Sequence, residues 1–112
     1  MKMLRCIVQP YKLEDLRIAL EDIGVHGMTV YEVKGHGRQK GHKEVYRGAE
    51  YQVSFLPKVM VEVALPDERV EEVIDKIIGT IRTGQIGDGK IFLLNLEEVV
   101  RIRTSERGVD AL

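Results

Sequence analysis

Apolar residues occur along this chain in short stretches, and their spacing switches between two periods. Leu4, Cys6 and Val8 lie at every second position, as in a strand with one buried face. Pro10 follows and cannot continue a strand. The chain is therefore predicted to open with a strand that ends just before Pro10.

Two later stretches have the spacing of amphipathic helices. In the first, apolar residues recur every three or four positions from Leu13 to Ile23, and Gly24 is the expected C-cap. In the second, Asp67 is the expected N-cap and Gly79 the expected end. The apolar stripe of this second helix consists of Val70, Val73, Ile74, Ile77 and Ile78.

Further stretches are rich in the residues that favour strands. The predicted order is β-α-β, a long loop and β-α-β, followed by a short extra strand. This is the ferredoxin-like α+β plan, in which a βαββαβ antiparallel sheet carries two helices on one face. The long loop lies between strands 2 and 3. The later strands are expected at Met28–Lys34, Lys58–Leu65, Ile91–Leu96 and, as the short C-terminal strand, Val99–Arg103.

Both helices of this plan lie on the same face of the sheet, so the other face receives no cover from its own chain. We expect Val30, Met60 and Ala64 on that bare face. Large exposed apolar patches mark interaction sites. The pattern therefore predicts a homo-oligomer with closed symmetry.

The segment from Lys34 to Phe55 is long and has no regular period. Loops of about 20 residues are uncommon in compact domains and are usually functional. The segment is rich in basic residues and glycine, and it carries Tyr46 and Tyr51. These features favour docking on another protein, with an exposed tyrosine open to modification. A passive, solvated insertion is the alternative.

A second loop places Gly84, Gly87 and Gly89 directly before Lys90. Repeated glycines let backbone N–H groups crowd around an anion, and a lysine adds charge. The loop lacks the full phosphate-loop signature of nucleotide hydrolases. The spacing therefore indicates an anion site of another kind.

Arg101 and Arg103 are two positions apart on the predicted last strand, so both side chains should leave the same face. Two guanidinium groups aimed together favour a polyphosphate or carboxylate ligand between them. Ion pairs with Glu97, Glu98 or Glu106 are the alternative.

Composition narrows the class of protein. The 112 residues carry 17 Lys and Arg against 18 Asp and Glu, a balance that argues against binding to nucleic acid by bulk charge. Cys6 is the only cysteine, so an internal disulfide is excluded. No apolar run approaches the roughly 20 residues of a membrane helix. We expect one cytoplasmic domain with no direct membrane insertion and no nucleic-acid partner.

No catalytic set of residues stands out. His26, His36 and His42 lack the spacing of metal ligands on a helix, and we interpret them as loop or surface histidines. The acidic pairs of the second helix are interpreted as a solvated face. Anion binding is therefore a better interpretation of the sequence than catalysis.

Several segments are similar to the signature sequences of one family. They read T-V-Y-E-V-K-G-H-G-R-Q-K-G-H-K-E-V-Y-R-G-A-E-Y-Q-V-S-F-L-P at 29–57, T-G-Q-I-G-D-G-K-I-F at 83–92 and V-R-I-R-T at 100–104. The opening Q-P-Y-K-L-E-D-L at 9–16 is similar too. Over essentially its whole length, the chain resembles the PII nitrogen-regulatory signal transduction proteins.

This resemblance implies a homotrimer of ferredoxin-like subunits that binds ATP or ADP in the clefts between subunits. ATP with Mg²⁺ would create a site for 2-oxoglutarate. The protein would be a regulator and not an enzyme, with slow ATP hydrolysis at most. One signalling domain would span residues 1–112, with a target-binding loop at about 37–55, a phosphate-binding loop at about 82–90 and a C-terminal loop at about 102–112.

The resemblance also assigns the nucleotide site. The phosphate contacts would be Gly87, Asp88, Gly89, Lys90 and Arg38, with Arg101 and Arg103 reaching in from the neighbouring subunit. The nucleoside pocket would be lined by Gly27, Thr29, Gly35, Glu62 and Ala64.

The implied 2-oxoglutarate site adjoins the phosphates. Gln39 would ligate Mg²⁺ there, and Lys58 would pair with the distal carboxylate of 2-oxoglutarate. Backbone amides would hold the rest of the ligand, at Gln39, Lys40, Gly41 and Gly87.

The long loop would meet the target proteins, which in this family include an ammonium transporter and nitrogen-metabolism enzymes. Arg47 matches the loop-tip arginine that plugs the transporter, and Tyr51 matches a tyrosine that is uridylylated or adenylylated in some branches. Three residues depart from the family pattern. His36 stands where Phe is common, next to the implied nucleotide cleft. Ala49 replaces a serine that cyanobacterial relatives phosphorylate, and Ser105 stands where Gly is frequent.

Other functions fit the residues less well. An RNA-binding ferredoxin-like domain needs stacking aromatic residues on its central strands, and the third strand, V-M-V-E-V-A-L, has none. An ATP-hydrolysing enzyme would have Glu62 as its only strand carboxylate near the cleft. A PII-like trimer for another small ligand is disfavoured by Gln39 and Lys58, which together suit a metal and a dicarboxylate.

Overall fold

The structure, a computed structural model, describes residues 1–37 and 42–112, and the side chains of 42–46 and 51–53 are also outside the described part. The helices are α1 (Leu13–Asp22) and α2 (Val70–Ile81). The strands are β1 (Lys2–Val8), β2 (Thr29–Gly35), β3 (His42–Tyr46), β4 (Ala49–Val53), β5 (Leu56–Leu65) and β6 (Lys90–Asn95).

The main sheet has four strands in the order β2-β5-β1-β6. Each neighbouring pair runs antiparallel. Strands β3 and β4 pair separately as a two-stranded hairpin between β2 and β5. The predicted ferredoxin-like α+β fold is therefore confirmed, and much of the predicted long loop is a hairpin.

The core lies between the sheet and the two helices. On β5 every second residue from Val59 to Leu65 is buried, which is the period-two pattern read from the sequence. Leu16 and Leu20 of α1 and Val73 of α2 are fully buried against this face. Gly24 ends α1 as predicted: its φ is +80°, a conformation that glycine adopts at low cost.

The second helix differs from its prediction at both ends. Gly79 does not end α2, because buried Ile81 continues the apolar stripe and its burial outweighs the helix cost of glycine. Asp67 does not cap α2 either. It begins a short 3₁₀ turn before the helix, and its carboxylate lies 3.0 Å from the amino group of Met1.

The predicted strand at Val99–Arg103 is wrong. Val100 forms an isolated bridge with Arg107, and the chain turns between them. Ser105 has a φ of 63° in this turn. The backbone N–H of Arg101 donates to Glu106 at 2.9 Å, so the segment satisfies its hydrogen bonds locally and joins no sheet.

One face of the main sheet is bare of any element in the described part of the chain. Tyr31, Phe92 and Leu94 are 43%, 45% and 39% exposed on it. Met60 belongs to this face as predicted, because it pairs with Ile7 and Tyr31. The prediction for Val30 is wrong.

Val30 lies directly opposite Val61, and Val61 is buried on the helix side. Residues directly opposite in antiparallel strands share a face. The side chain of Val30 therefore lies on the helix side of the sheet, at the outer strand, where it stays exposed.

Candidate functional site

A cleft of about 650 Å³ opens at one end of the bare sheet face. The end of β2, the start of β5, the loop between α2 and β6, and the first residues of β6 form its walls. A volume of this order suits a small-molecule ligand. Six predicted site residues line it: Gly35, Lys58, Gly87, Asp88, Gly89 and Lys90.

The loop before β6 is held in shape by Asp88. One carboxylate oxygen accepts hydrogen bonds from the backbone N–H of Thr83 at 2.8 Å and of Gly84 at 2.9 Å. The other accepts from the Thr83 hydroxyl. These hydrogen bonds hold the pKa of Asp88 below its ordinary value, and the bond with the Thr83 side chain has the largest effect. Asp88 thus organises the loop, and its negative charge does not favour direct contact with a phosphate.

This role gives a test that depends on pH. Asp88→Asn should lower the denaturant midpoint of unfolding at pH 7, because the amide cannot accept all three hydrogen bonds. The pKa of Asp88 is lower in the folded chain, so its carboxylate stabilises the fold above the unfolded pKa. That stabilisation disappears as the pH falls through the folded pKa.

The difference between the Asp88→Asn variant and the wild type, measured by urea unfolding, should therefore shrink as the pH falls below about 4. Asp75→Asn, at an exposed position of α2, serves as the control and should leave the midpoint unchanged. An Asp88→Asn midpoint equal to the wild type at pH 7 would refute the role of Asp88 in the loop.

Gly89 brings this loop against the backbone of β1. Its φ is +105°, and a Cβ at this position would lie 1.8 Å from the carbonyl oxygen of Ile7. No side chain fits there. Glycine at this position therefore lets the loop close directly onto the central strand, which places its backbone at the wall of the cleft.

Lys58 enters the cleft from β5. A Cβ at Gly35 would come within 3.2 Å of Cγ of Lys58, so the glycine leaves room for the lysine stem. Burial lowers the pKa of Lys58. A partly desolvated ammonium group is a good partner for a carboxylate or a phosphate.

Lys90 is exposed at the start of β6, next to Gly89. It pairs across the sheet with Ile7, so it lies on the bare side of the sheet, as Ile7 does. The two lysines are the positive side chains of the described lining, and Asp88 is its one negative side chain. The carboxylate is already bonded within the loop, so the cleft favours an anion.

The other predicted nucleoside residues lie elsewhere. Thr29 and Glu62 pair with each other across β2 and β5, and Ala64 is two positions further on. Along β5, Lys58 and Ala64 are separated by about 20 Å. These residues and Gly27 do not line the cleft.

Glu62 has its own partners on the bare face. Its carboxylate lies 3.3 Å from a guanidinium nitrogen of Arg5, and its side chain is 12% exposed. Its hydrogen bond with the Tyr31 hydroxyl raises the pKa of Tyr31. Glu62 is therefore fixed in a small polar cluster.

The two C-terminal arginines do not share a strand face as predicted, because residues 101–104 form a turn region. Arg101 makes the ion pair that was the alternative, at 3.0 Å from Glu106, and it also donates to the carbonyl of Leu112. Arg103 is exposed, and no ion pair of its side chain occurs within the described residues.

The hairpin of β3 and β4 turns at Arg47 and Gly48, which have φ values of 52° and 78°. Two positive φ values at adjacent residues are typical of a tight hairpin turn. Arg47 is exposed at this tip. Tyr51 lies in β4, but its side chain is outside the described part, as are Arg38, Gln39, Lys40 and Gly41.

The sequence did not identify the remaining walls of the cleft. Gln85 and Ile86 stand within the glycine-rich motif, so their place in it was the available signal. The others depend on strand register and on the course of β2, which no local pattern gives. The missed lining residues are Ile7, Gly37, Leu56, Gln85, Ile86 and Phe92. His36 was expected next to the cleft, and it lines the cleft in the structure.

The described residues contain no cluster of three or more His, Cys, Asp or Glu side chains that could hold a metal ion. Neither helix in the described ranges is long and apolar enough to cross a membrane.

The described structure is a ferredoxin-like module with a glycine-lined cleft that carries two lysines. A family model described as "Nitrogen regulatory protein P-II" matches residues 1–106. The chain belongs to the P-II nitrogen regulatory protein family. The predicted family is confirmed.

Relatives with this description match the chain over its full length. A nitrogen regulatory protein P-II of Rhizobium meliloti is 58% identical over 112 residues, which is all of both chains. The nitrogen regulatory protein P-II of Haemophilus influenzae is 56% identical, again over all of both chains. The nitrogen regulatory protein GlnK of Escherichia coli K12 is 57% identical over the same length.

Proposed function

We propose that this protein is a cytoplasmic signalling module that binds ATP or ADP, with Mg²⁺ and 2-oxoglutarate as effector, and regulates nitrogen-assimilation targets. The observation that carries this proposal is the cleft in which Lys58, Lys90 and the Gly87–Gly89 backbone converge. Backbone N–H groups and two cations are the donors that a polyphosphate needs.

The cleft is completed by a second copy of the chain in this proposal. It opens at the end of the bare sheet face, where Ile7, Lys90 and Phe92 are neighbours across the strands. A subunit packed on the bare face would form the missing wall. In a closed ring, the Thr29–Glu62 end of one subunit can meet the Lys58–Lys90 end of the next. This arrangement would explain why the predicted nucleotide-binding residues lie in two separate groups on one chain.

Arg103 fits such a shared site because it is exposed. Arg101 would support it by fixing the turn through Glu106. Both arginines are proposed to act on the phosphates bound by the neighbouring subunit. Gly27 and Ala64 are proposed for the nucleoside end of the same site.

The proposed effector site uses Lys58 for the distal carboxylate of 2-oxoglutarate. Gln39 would ligate Mg²⁺ between the nucleotide phosphates and the keto acid, which suits a hard cation that prefers oxygen ligands. Amides of Lys40, Gly41 and Gly87 would complete the site. A metal that contacts both ligands makes their binding cooperative.

The proposed output is the hairpin. Gly35 at the cleft ends the strand that leads into the hairpin, so a bound ligand can bias hairpin conformation. Arg47 at its exposed tip is proposed to contact an ammonium transporter or a nitrogen-metabolism enzyme. Tyr51 is a proposed uridylylation or adenylylation site. The proposed activity is regulatory, with slow ATP hydrolysis at most.

Lys90→Ala is expected to weaken ATP binding at least about 10-fold, which is about 1.4 kcal/mol. Lys90 adds a positive charge beside the loop amides, and its loss leaves phosphate oxygens with fewer charged donors. Isothermal titration of ATP into both proteins measures the change. Lys76→Ala on α2, away from the cleft, is the matched control and should bind ATP as the wild type does. Unchanged affinity after loss of Lys90 would reject this phosphate site.

The protein is expected to be a trimer in solution. Three chains of 12.7 kDa give about 38 kDa by light scattering. The physical reason is the bare face with its exposed Tyr31, Phe92 and Leu94. A uniform monomer at micromolar concentration would contradict both the trimer and the shared nucleotide site.

A further inference from the structure

His36 is a titratable residue of the cleft that the proposed site does not use. It follows Gly35 at the end of β2 and lines the same cleft as Lys58 and Lys90. The hairpin of β3 and β4 comes later in the chain and ends just before Ser54. A side chain at this position borders the cleft and also contacts Ser54 and Phe55, which directly follow the hairpin.

The orientation of the His36 ring is fixed on one side. Its Nδ1 lies 2.8 Å from the carbonyl oxygen of Ser54, and its ring centroid lies 5.6 Å from that of Phe55. A carbonyl oxygen can only accept, so Nδ1 must carry the hydrogen. In the neutral ring Nε2 is then an acceptor, and in the protonated ring it becomes a second donor.

Charged side chains line the same cleft as His36. Lys58 of β5 and Lys90 of β6 are positive and Asp88 of the loop is negative, while Ser54 and Phe55, which contact the His36 ring, contribute no side-chain charge. Asp88 is held by Thr83 and Gly84.

A polyphosphate bound in the cleft would attract a positive charge on His36. An imidazole changes its charge between about pH 5 and 8. A polyphosphate close to Lys58 and Lys90 attracts the extra proton, so protonation and anion binding favour each other. A phenylalanine at this position would pack beside the cleft but would carry no charge.

We propose that His36 is a further contact for the phosphate chain in this cleft, acting in its protonated form through Nε2 while Nδ1 remains bonded to Ser54. This inference rests on the proposed binding of adenine nucleotide. It assigns to this chain an affinity for polyphosphate that increases as the pH falls.

The test compares ATP affinity at pH 6 and pH 8 by isothermal titration. His36→Asn is the main variant, because its amide N–H can still donate to Ser54 but the side chain never gains a charge. His36→Phe removes both properties. His26→Asn, before β2 and outside the cleft, is the control. Unfolding midpoints at both pH values show that each variant is folded.

The ratio of wild-type to His36→Asn affinity should rise at least about threefold from pH 8 to pH 6, the size expected of one exposed charge contact. The ATP phosphates titrate equally in both proteins, so this ratio isolates His36. Titrations in buffers of different ionisation enthalpy should show that the wild type takes up more protons on binding than either His36 variant.

A ratio that changes by less than threefold overturns the role of His36 and leaves the nucleotide site intact. A pH dependence that His26→Asn removes equally also overturns it. Absence of ATP binding to the wild type at both pH values instead overturns the proposed function itself.

Discussion

Gly89→Ala is expected to lower the free energy of unfolding by about 3 kcal/mol and to abolish most ATP binding. The added Cβ would lie 1.8 Å from the carbonyl oxygen of Ile7, and the φ of +105° is unfavourable for any residue with a side chain. The loop or β1 must move to relieve the contact. Either movement separates the loop amides from the cleft.

Gly79→Ala is the matched control for this variant. Gly79 lies within α2, is exposed and has nothing within 4 Å of a built Cβ. Alanine there should raise the free energy of unfolding by about 0.5–1 kcal/mol. Urea unfolding at equal protein concentrations measures both changes, because the stability of an oligomer depends on concentration. Wild-type stability of the Gly89→Ala variant would contradict the described contact of the loop with β1.

Lys58→Ala is expected to reduce 2-oxoglutarate affinity by about 30-fold or more while sparing most ATP affinity. A lost charge-assisted hydrogen bond costs about 1.5–3 kcal/mol. The variant would leave a carboxylate in the cleft without its cation. Titration of 2-oxoglutarate into protein saturated with Mg²⁺ and ATP measures this loss.

Two further variants separate charge from packing. Lys58→Met keeps the apolar stem that lies over Gly35 but removes the ammonium group, so it should lose affinity as the alanine variant does. Lys34→Ala removes an exposed lysine of β2 outside the cleft and should bind as the wild type does. Wild-type 2-oxoglutarate affinity in Lys58→Met would remove Lys58 from the effector site.

Local patterns predicted the elements whose residues alternate in burial. The structure confirms the period-two pattern of β5 and the helical spacing of α1, because each element buries one face in the same core. The pattern failed where tertiary packing outweighed a local signal. Burial of Ile81 extends α2 past Gly79. The segment Val99–Arg103 forms no sheet strand, because the backbone N–H of Arg101 donates to Glu106 within a local turn.

Residues that depend on register could not be read from the sequence. Val30 was placed on the bare face, but its partner Val61 sets it on the helix side. The glycine-rich loop could be predicted as one wall of the cleft, because repeated glycines before a lysine are typical of anion-binding loops. The opposite wall, with Ile7 and Phe92, follows only from the pairing of β1 with β6.

The most direct test of the proposed function is the dependence of 2-oxoglutarate binding on the nucleotide. 2-Oxoglutarate is titrated calorimetrically into the protein alone, with ATP, with Mg²⁺ and ATP together, and with Mg²⁺ and ADP. We expect strong binding only with Mg²⁺ and ATP, and weak binding with ADP, which lacks the γ-phosphate that helps to position the metal. Strong binding of 2-oxoglutarate to the nucleotide-free protein would contradict the shared site.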